Sequence, residues 1–422
     1  MLLTHLGSKP VIKKPLIIFS ALIAVVITTA GILLLLYLGT ITSRACIDVE
    51  KTDIRSLDDN GYFSSSYKAA RFKFLEATRK KGGNIQSYEH PETGPNGERL
   101  YIDLAFFGSP DNTDALVVSS GTHGVEGFAG SGIQTGLLSE GITTNLPHNL
   151  NLIMIHALNP YGMAHIRRFT EDNVDLNRNF ADHSTQHPEN REYEELANVI
   201  APASITFWSE VKSWGYLLWY RFTKGKTAVQ SAISKGQYSH PTGLFYGGRS
   251  NTWSNNTLRS IVHDYLQNKK RVVLIDLHTG LGEYGHAEVI LNVPENSPEY
   301  RRANNIWGQG FVRTTVTGQS VSVHIANSIK NAFSKMMHNS EVTAVSLEFG
   351  TYPPMEVFKA LRAENWLHHH ADPKHPKAKQ IKTCLLSAFY PDDENWNTMV
   401  WKKGKDVVER AITFLGSNES IP

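Results

Sequence analysis

The stretch ALVVSSGTHGVEG, residues 115–127, runs from apolar residues into a glycine-rich turn that contains His123 and Glu126. An apolar run of this length predicts a β-strand buried on both faces, and the glycines allow a tight turn after it. His123 and Glu126 are three residues apart, so they point the same way on one helical turn. Imidazole nitrogen and carboxylate oxygen both suit Zn²⁺, although the pair alone also fits a chance occurrence or a helix cap.

Other apolar runs rich in β-forming residues continue the pattern along the chain. They are residues 101–108, 150–157, 271–278, 287–293 and 342–350. Helical patterns lie between them, at residues 127–138, 189–200 and 355–368. The alternation of strands and helices predicts an α/β fold, a three-layer sandwich around a mostly parallel, mixed central sheet.

A second strand end contains a possible metal ligand. The run RVVLIDLH, residues 271–278, ends at His278. Because open α/β sheets bind ligands at the carboxyl ends of their strands, His278 could complete a His₂Glu set with His123 and Glu126. That set leaves a fourth position open for water, as in catalytic rather than structural zinc sites. Asp276 could hold the other ring nitrogen of a ligand, and a structural role for it is equally open.

A third strand, VTAVSLEFG at residues 342–350, contains Glu348 near its end. A carboxylate in so apolar a run is costly unless it is paired or functional. Burial would raise its pKa toward the range of a general base. A buried ion pair is the alternative interpretation.

A fourth polar group follows the strand at 150–157, in HIRRFTEDNVDLNRNF at residues 165–180. Arg167, Arg168, Asn177 and Arg178 supply guanidinium and amide donors beside the same sheet edge, and arginine binds carboxylates in a bidentate way. Surface ion pairs with neighbouring acids are the competing interpretation, and they fit whichever of Arg167 and Arg168 points away from the site.

Composition excludes some classes of protein. The 422 residues include 42 Lys+Arg, 40 Asp+Glu and 2 Cys. We expect no nucleic-acid partner, because no cluster of positive charge stands out in the sequence. Cys46 and Cys384 could form one bridge at most, which excludes a disulfide scaffold.

The N-terminal region predicts a membrane anchor. Residues 16–38 have no charge over 23 residues, which is long enough for a helix to cross the hydrocarbon core of a bilayer. Cleavage after Ala45, as in a signal peptide, is the rival interpretation. Basic residues on both sides of the run favour only slightly an N-terminus in the cytoplasm and a catalytic domain outside it.

These features predict the organisation of the chain. We expect a tail at 1–15, a transmembrane anchor at 16–41, a stalk at 42–65 and a catalytic domain at 66–417. Within that domain, residues 201–262 form an aromatic-rich insert. Its aromatic residues fit a membrane-surface belt, a lid over the site or an ordinary satellite core, and the satellite core is favoured.

Taken in order, HGVE, NPYG…RR…DLNRNF, DLHTG and SLEFG resemble the motifs of the zinc carboxypeptidase superfamily. The DLH and SLEFG segments are similar to those of the aspartoacylase and succinylglutamate desuccinylase branch. GQYSHPTGLFYGG at 236–248, together with RRFTEDNVDLNRNF, looks most like the DUF2817 group within that superfamily. The resemblance covers roughly residues 60–400 and implies a carboxypeptidase-like α/β fold.

The resemblance also implies roles for particular residues. His123, Glu126 and His278 would bind one Zn²⁺ per chain, and Glu348 would act as general base and acid. Arg168 would polarise the scissile carbonyl, and Arg167 is equally placed for that role or for binding substrate. Asn177 and Arg178 would hold a substrate carboxylate.

The implied function is a membrane-anchored, zinc-dependent hydrolase of an amide bond next to a carboxylate. Its substrate would be a peptide or an acyl-amino acid with a free carboxylate, and its anchor would contact the lipid bilayer through residues 16–41. An N-acyl amino acid deacylase of aspartoacylase type is one alternative. A catalytically inactive, membrane-anchored binding protein is another, because a fold alone does not imply a function.

Overall fold

The computed structural model describes residue 31, residues 61–372 and residues 374–417. The predicted tail, nearly all of the predicted anchor and most of the predicted stalk therefore lie outside the described residues. Within the described part of the chain, no helix combines the length and the apolar character that a bilayer-spanning segment needs.

Eight strands form one mixed sheet. They are β1 (Asn84–Thr93), β2 (Arg99–Phe107), β3 (Asp114–Ser120), β4 (Leu150–His156), β5 (Arg271–Tyr284), β6 (Ala287–Leu291), β7 (Val312–Thr314) and β8 (Glu341–Gly350). The strand order is β1-β2-β4-β3-β5-β8-β6-β7. The four central strands β4, β3, β5 and β8 run parallel, while β2 and β6 pair antiparallel with the outer members of that group. The prediction of an α/β fold with a mixed sheet is confirmed.

Twelve α-helices accompany the sheet in the described residues. They are α1 (Tyr67–Lys80), α2 (Gly127–Ser139), α3 (Pro160–Ala164), α4 (Arg191–Ile200), α5 (Phe207–Lys224), α6 (Lys226–Ser234), α7 (Trp253–Leu266), α8 (Pro298–Trp307), α9 (Ile329–Met336), α10 (Pro354–His370), α11 (Ala378–Phe389) and α12 (Glu394–Gly416). Two 3₁₀ turns, Gly124–Glu126 and Leu176–Arg178, lie at the sheet edge where the central strands end.

The core has a layer of helices on each face of the sheet. Leu258 and Ile261 of α7 and Phe333 of α9 pack with alternate residues of the central strands, such as Val117 and Leu274. Successive residues of a strand point to opposite faces of the sheet. The alternate residues that do not face α7 and α9 therefore face the second layer, in which α2 and α12 contact β3, β4 and β5. Burial on both faces explains why β3, β4 and β8 read as continuous apolar runs.

Two strands escape prediction from the sequence. In β1, NIQSYEHPET, most residues are partly or fully exposed, as expected for an edge strand with few apolar residues. In β7, only three residues form the strand, which is too short for a periodicity to appear.

The aromatic-rich insert at 201–262 divides between two environments. Trp214 and Tyr220 are buried, and Trp214 meets Phe358 edge to face with ring centroids 6.1 Å apart. Trp208 and Phe222 of the same helix are exposed. Within α5, the favoured satellite core therefore describes the inward side only.

The end of β4 contains a buried histidine that should make the fold sensitive to acid. His156 has no exposed surface, stacks on Phe74 at 4.5 Å between ring centroids, and places Nε2 2.9 Å from Ser131 Oγ. Burial lowers the pKa of His156 to about 4, and the nearby charge of Asp103 opposes this only in part. The unfolded chain therefore takes up this proton at a higher pH than the folded protein does.

We predict that His156 removes about 3 kcal/mol of folding stability as the pH falls from about 6.5 to about 4. Chemical denaturation at a series of pH values measures this loss, and His156→Gln should flatten the acid limb by that amount. The matched control is His263→Gln, since the His263 side chain is largely exposed. Equal acid limbs in H156Q and the wild type would contradict the prediction.

Candidate metal centre

The turn after β3 depends on close contact between two backbone segments. Gly124 lies against α3, and a Cβ built on it would come within 2.1 Å of the carbonyl carbon of Gly162. The N–H groups of Gly124 and Val125 donate to the carbonyl oxygens of Arg168 and Arg167, at 3.1 and 2.8 Å. The turn with His123 and Glu126 is thereby fixed to the segment that contains the two arginines.

The three predicted ligands meet in one buried cluster. His123 Nδ1 lies 2.9 Å from Glu126 Oε1, His278 Nδ1 lies 3.0 Å from Glu126 Oε2, and the two Nδ1 atoms are 3.3 Å apart. One ligand atom from each residue falls within 4.8 Å of the others. Tetrahedral zinc with bonds of about 2.0–2.1 Å requires ligand atoms roughly 3.3 Å apart, so this set fits the ion with small adjustments.

The far side of each imidazole ring contacts a carboxylate. His278 Nε2 lies 2.5 Å from Asp276 Oδ2, and His123 Nε2 lies 3.1 Å from Asp175 Oδ1. Asp276 is itself held by the hydroxyls of Ser119 and Thr122, at 2.5 and 2.8 Å. Carboxylates in this position keep the ring proton on Nε2, which leaves Nδ1 free to bind a metal.

Local charges favour a cation at the cluster. Burial opposes the ionisation of Glu126, but the positive charges of His123 and Arg168 outweigh it and hold the pKa of Glu126 well below its ordinary value. The pKa of Asp175 is lowered in the same way by Arg178 and Arg168, against burial. Burial disfavours a charged His278, yet Asp276 and Glu126 raise the pKa of His278 to about 10. The negative potential that holds this proton would also attract a divalent ion.

Glu348 lies beside the cluster, as the Cα partner of His278 in the parallel pair β5–β8. Its Oε1 accepts a 3.0 Å hydrogen bond from the N–H of Leu281. Burial first, and then the negative charge of Glu126, raise the pKa of Glu348 to about 7. A carboxylate with this pKa can exchange a proton near neutral pH.

The neighbours Arg167 and Arg168 have different surroundings. Arg168 donates to Glu126 Oε1 at 2.6 Å and to Asp175 Oδ2 at 3.2 Å, and its Nη2 lies 2.8 Å from His123 Nε2. Arg167 is buried in an ion pair with Glu364 at 2.8 Å and donates to Asn173 Oδ1. Arg168 therefore joins the cluster, whereas the known contacts of Arg167 are with Glu364 and Asn173.

Asn177 and Arg178 lie on the 3₁₀ turn next to Asp175. The carbonyl oxygen of the Asn177 side chain accepts a 3.0 Å bond from the N–H of Ile329, the first residue of α9, so its amide N–H₂ group is the part left to bind a ligand. Arg178 donates to Asp175 Oδ1 at 3.4 Å and to the carbonyl of Ser234 at 2.6 Å, while its buried Nε has no partner among the described residues.

Unusual backbone conformations surround these residues. Ala157, Ile166, Asn173 and Phe245 are the described non-glycine residues with positive φ, between 50° and 59°. Phe245 lies beneath the guanidinium groups of Arg168 and Arg178, at 5.5 and 5.6 Å from its ring centre. Such strained residues persist where the surrounding structure fixes them, and they concentrate at functional sites.

Sequence reasoning missed several contributors to the site. Asp175 lies near Glu171 and Asp172, and composition alone does not separate it from these neighbours. Phe245 and Tyr238 come from the aromatic-rich insert, and Tyr238 donates to the carbonyl of Arg178 at 2.6 Å. Asp175 Oδ1 accepts a 3.0 Å hydrogen bond from the N–H of Asn177, and an aspartate in such an Asx turn is a sequence signal that could have drawn attention to it.

Fold and site together define an α/β protein with a candidate metal centre at the carboxyl edge of its parallel strands. The chain belongs to the DUF2817 family, described as a protein of unknown function, whose model matches residues 63–403. No curated protein matches the chain significantly.

Solved structures give distant similarities. Bovine thrombin-activatable fibrinolysis inhibitor, in complex with tick carboxypeptidase inhibitor, is 12% identical with a TM-score of 0.39, over 82% of this chain and 98% of that one. Succinylglutamate desuccinylase from Chromobacterium violaceum is 14% identical with a TM-score of 0.34, over 76% of this chain and 74% of that one. Similarities at this level assign no activity.

The close approach at Gly124 yields a prediction. Gly124→Ala would bring a Cβ against backbone atoms that cannot rotate away, so we expect it to lower the free energy of unfolding by at least ~2 kcal/mol and to weaken metal binding. Gly215→Ala is the control, since Gly215 lies within α5 with open space around it, and alanine there should be neutral or stabilising. Urea denaturation and metal titration measure both variants, and wild-type stability in G124A would contradict the prediction.

The contact between Asp276 and His278 yields a second prediction about metal binding. Asp276→Asn removes the negative charge behind the ring, so we expect the affinity for Zn²⁺ to fall about 10–100-fold. Competition with a chromophoric chelator measures this affinity. Asp264→Asn alters a similar His–Asp pair at the surface and serves as the control. Unchanged affinity in D276N, with the fold intact by circular dichroism, would contradict the role of Asp276.

Proposed function

We propose that this protein is a zinc-dependent hydrolase that cleaves an amide bond next to a substrate carboxylate. The observation that supports it most is the orientation of the two imidazole rings. Their Nδ1 atoms converge on Glu126 while their Nε2 atoms contact Asp175 and Asp276. A structural histidine needs no such pairing on both nitrogens.

His123, Glu126 and His278 would hold the ion through Nδ1, a carboxylate oxygen and Nδ1. When bound, zinc supplies a Lewis acid that polarises a carbonyl and lowers the pKa of a coordinated water. Since Nε2 of His123 must then be protonated, it donates to Asp175 and can no longer accept from Arg168.

Arg168 would consequently be available to the substrate. In the proposed complex it exchanges its contacts with Glu126 and His123 for the carbonyl oxygen of the scissile bond. A guanidinium there stabilises the negative charge that develops on this oxygen. The hydrogen bond from Arg168 Nε to Asp175 would remain and would limit the movement of the Arg168 side chain.

Glu348 would move the proton. With Oε1 held by the N–H of Leu281, Oε2 takes a proton from the attacking water and later delivers it to the leaving nitrogen. The water oxygen bonds to the carbonyl carbon and the carbon–nitrogen bond breaks, so the products are a carboxylic acid and an amine. The pKa of Glu348, raised by burial to about 7, suits both transfers.

The amide group of Asn177 and the Nε of Arg178, which has no partner among the described residues, would bind the substrate carboxylate. Arg178 shares the carboxylate of Asp175 with Arg168 and His123. Because one carboxylate then faces two guanidinium groups and an imidazole, the carboxylate of a substrate would offset the positive charge that remains. This pair would fix the substrate by its terminus and supply proximity. Arg167 is left out of this proposal because its guanidinium pairs with Glu364.

We extend the proposal to location: residues 16–41 would anchor the enzyme in a bilayer, with the N-terminus cytoplasmic and the catalytic domain outside. Protease is added to sealed vesicles whose cytoplasmic face is outward, and we expect the domain to be protected until detergent opens them. Digestion of the domain while the vesicles are sealed would contradict this orientation.

The predicted key variant is Glu348→Gln. We expect about one zinc per chain by mass spectrometry, as in the wild type, and a loss of turnover of about 10²–10⁴-fold. Glu341→Gln makes the same change at the first residue of β8, where the partly exposed carboxylate lies 3.8 Å from Arg302, and should retain activity.

Substrates for this test are a tripeptide series and an N-acetyl amino acid series, each with free and amidated carboxyl termini. Hydrolysis of tripeptides supports a carboxypeptidase, and hydrolysis of acylated amino acids alone supports a deacylase of aspartoacylase type. Full activity in E348Q would remove Glu348 from the mechanism. A folded, zinc-loaded wild type that binds these ligands without cleaving any would favour the inactive binding protein.

A further inference from the structure

Helix α5 is apolar on two opposite sides. Its inward side buries Trp214, Leu217 and Tyr220. Its other side, called here the outer face of α5, consists of Trp208, Val211, Leu218, Trp219 and Phe222. These residues recur at helical spacing, so they form one stripe along the helix, roughly 20 Å long at about 1.5 Å per residue.

The outer face of α5 is open to solvent. Phe222 is 90% exposed, Trp208 73% and Trp219 55%. Single exposed apolar residues are common, but this stripe exposes on the order of 500 Å² of apolar surface in one place. A patch of that size is at the upper end for soluble monomers and indicates a binding surface.

The charges around the outer face are basic. Lys212 is exposed beside the stripe, within about 40° of Trp208 and Trp219 around the helix. Arg221 and Lys224 are exposed in the last turn of α5, on the side that also contains Leu217, and Lys226 is exposed where α6 begins. The acid of α5, Glu210, is bound to Arg362 at 2.7 Å and accepts from the Trp214 ring nitrogen at 2.8 Å. Glu192 and Glu195 of α4 act on Tyr220, on the inward side of α5.

We propose that the outer face of α5 binds the surface of a lipid bilayer with anionic headgroups. Tryptophan favours the interface, phenylalanine and leucine enter the edge of the acyl region, and lysine and arginine reach the headgroups. A second copy of this chain would bring the same basic residues together, since each copy presents the same positive rim. The uncharged run at residues 16–38 of the same chain is an independent sign of a membrane setting.

The inference is independent of the proposed catalytic function, because none of these side chains belongs to the metal centre. It also differs from the predicted anchor, which would cross the bilayer, whereas α5 would lie along its surface. At this position the helix would set the orientation of the domain relative to the membrane.

Spin-label accessibility on the full chain tests the proposal. A nitroxide is attached at Phe222→Cys, and in a second protein at His263→Cys on α7, both reconstituted into vesicles of phosphatidylcholine with phosphatidylserine. We expect the label at 222 to collide several-fold less with a water-soluble nickel complex, and more with oxygen, than the label at 263. The chain without an added cysteine, taken through the same labelling reaction, gives the background.

A label at 222 that is as accessible to the nickel complex as the label at 263 would overturn the proposal. Shielding from both nickel and oxygen would overturn it as well, because protein rather than lipid would then cover the face. Spin–spin coupling between copies would identify that protein as a second chain. Equal accessibility of the label at 222 in vesicles with and without phosphatidylserine would exclude the role assigned to anionic headgroups. If that role holds, the double substitution Lys212→Gln and Arg221→Gln should reduce the collisions of the label at 222 with oxygen.

Discussion

The hydrogen bonds from Gly124 and Val125 to the carbonyls of Arg168 and Arg167 join two of the segments that build the metal centre. One is the turn after β3 and the other is the long loop after β4, while β5 and β8 contribute His278 and Glu348. The turn and the loop can approach because Gly124 has no side chain where the backbone of Gly162 passes. This approach brings Arg168 and Asp175 within reach of His123 and Glu126, so the positive charge beside these two residues depends on one backbone contact.

The cluster also concentrates charges that burial makes costly. Glu126, Asp175 and Asp276 are buried carboxylates, and each contacts at least one imidazole or guanidinium group. Replacing such a network with apolar residues is often neutral or stabilising, so stability gives little reason to retain it. Four strained residues in the surrounding loops add to the cost. The arrangement is easier to understand as a binding site than as a fold stabiliser.

The sequence predicts most of the central sheet, because burial on both faces leaves continuous apolar runs such as those of β3 and β8. It also indicates which strand ends bear polar groups, since His123, His278 and Glu348 interrupt or follow apolar residues. It could not separate Arg167 from Arg168, because adjacent loop residues point in different directions that only tertiary contacts decide. Asp175 was missed for a similar reason: its partners His123 and Arg178 become visible only when the loops are folded together.

The outer face of α5 illustrates the limit of composition as a guide. Eleven aromatic residues in the insert look alike in the sequence, yet Trp214 and Tyr220 face the domain while Trp208 and Phe222 face solvent. Helical phase separates the two groups only in part: residue 208 lies about half a turn from residue 217, but residue 222 lies only about a quarter of a turn from residue 214. A helix buried on both sides would have needed another layer of protein over it. With basic residues along its rim and its acid engaged by Arg362, α5 has the composition of an interfacial helix rather than of an incomplete core.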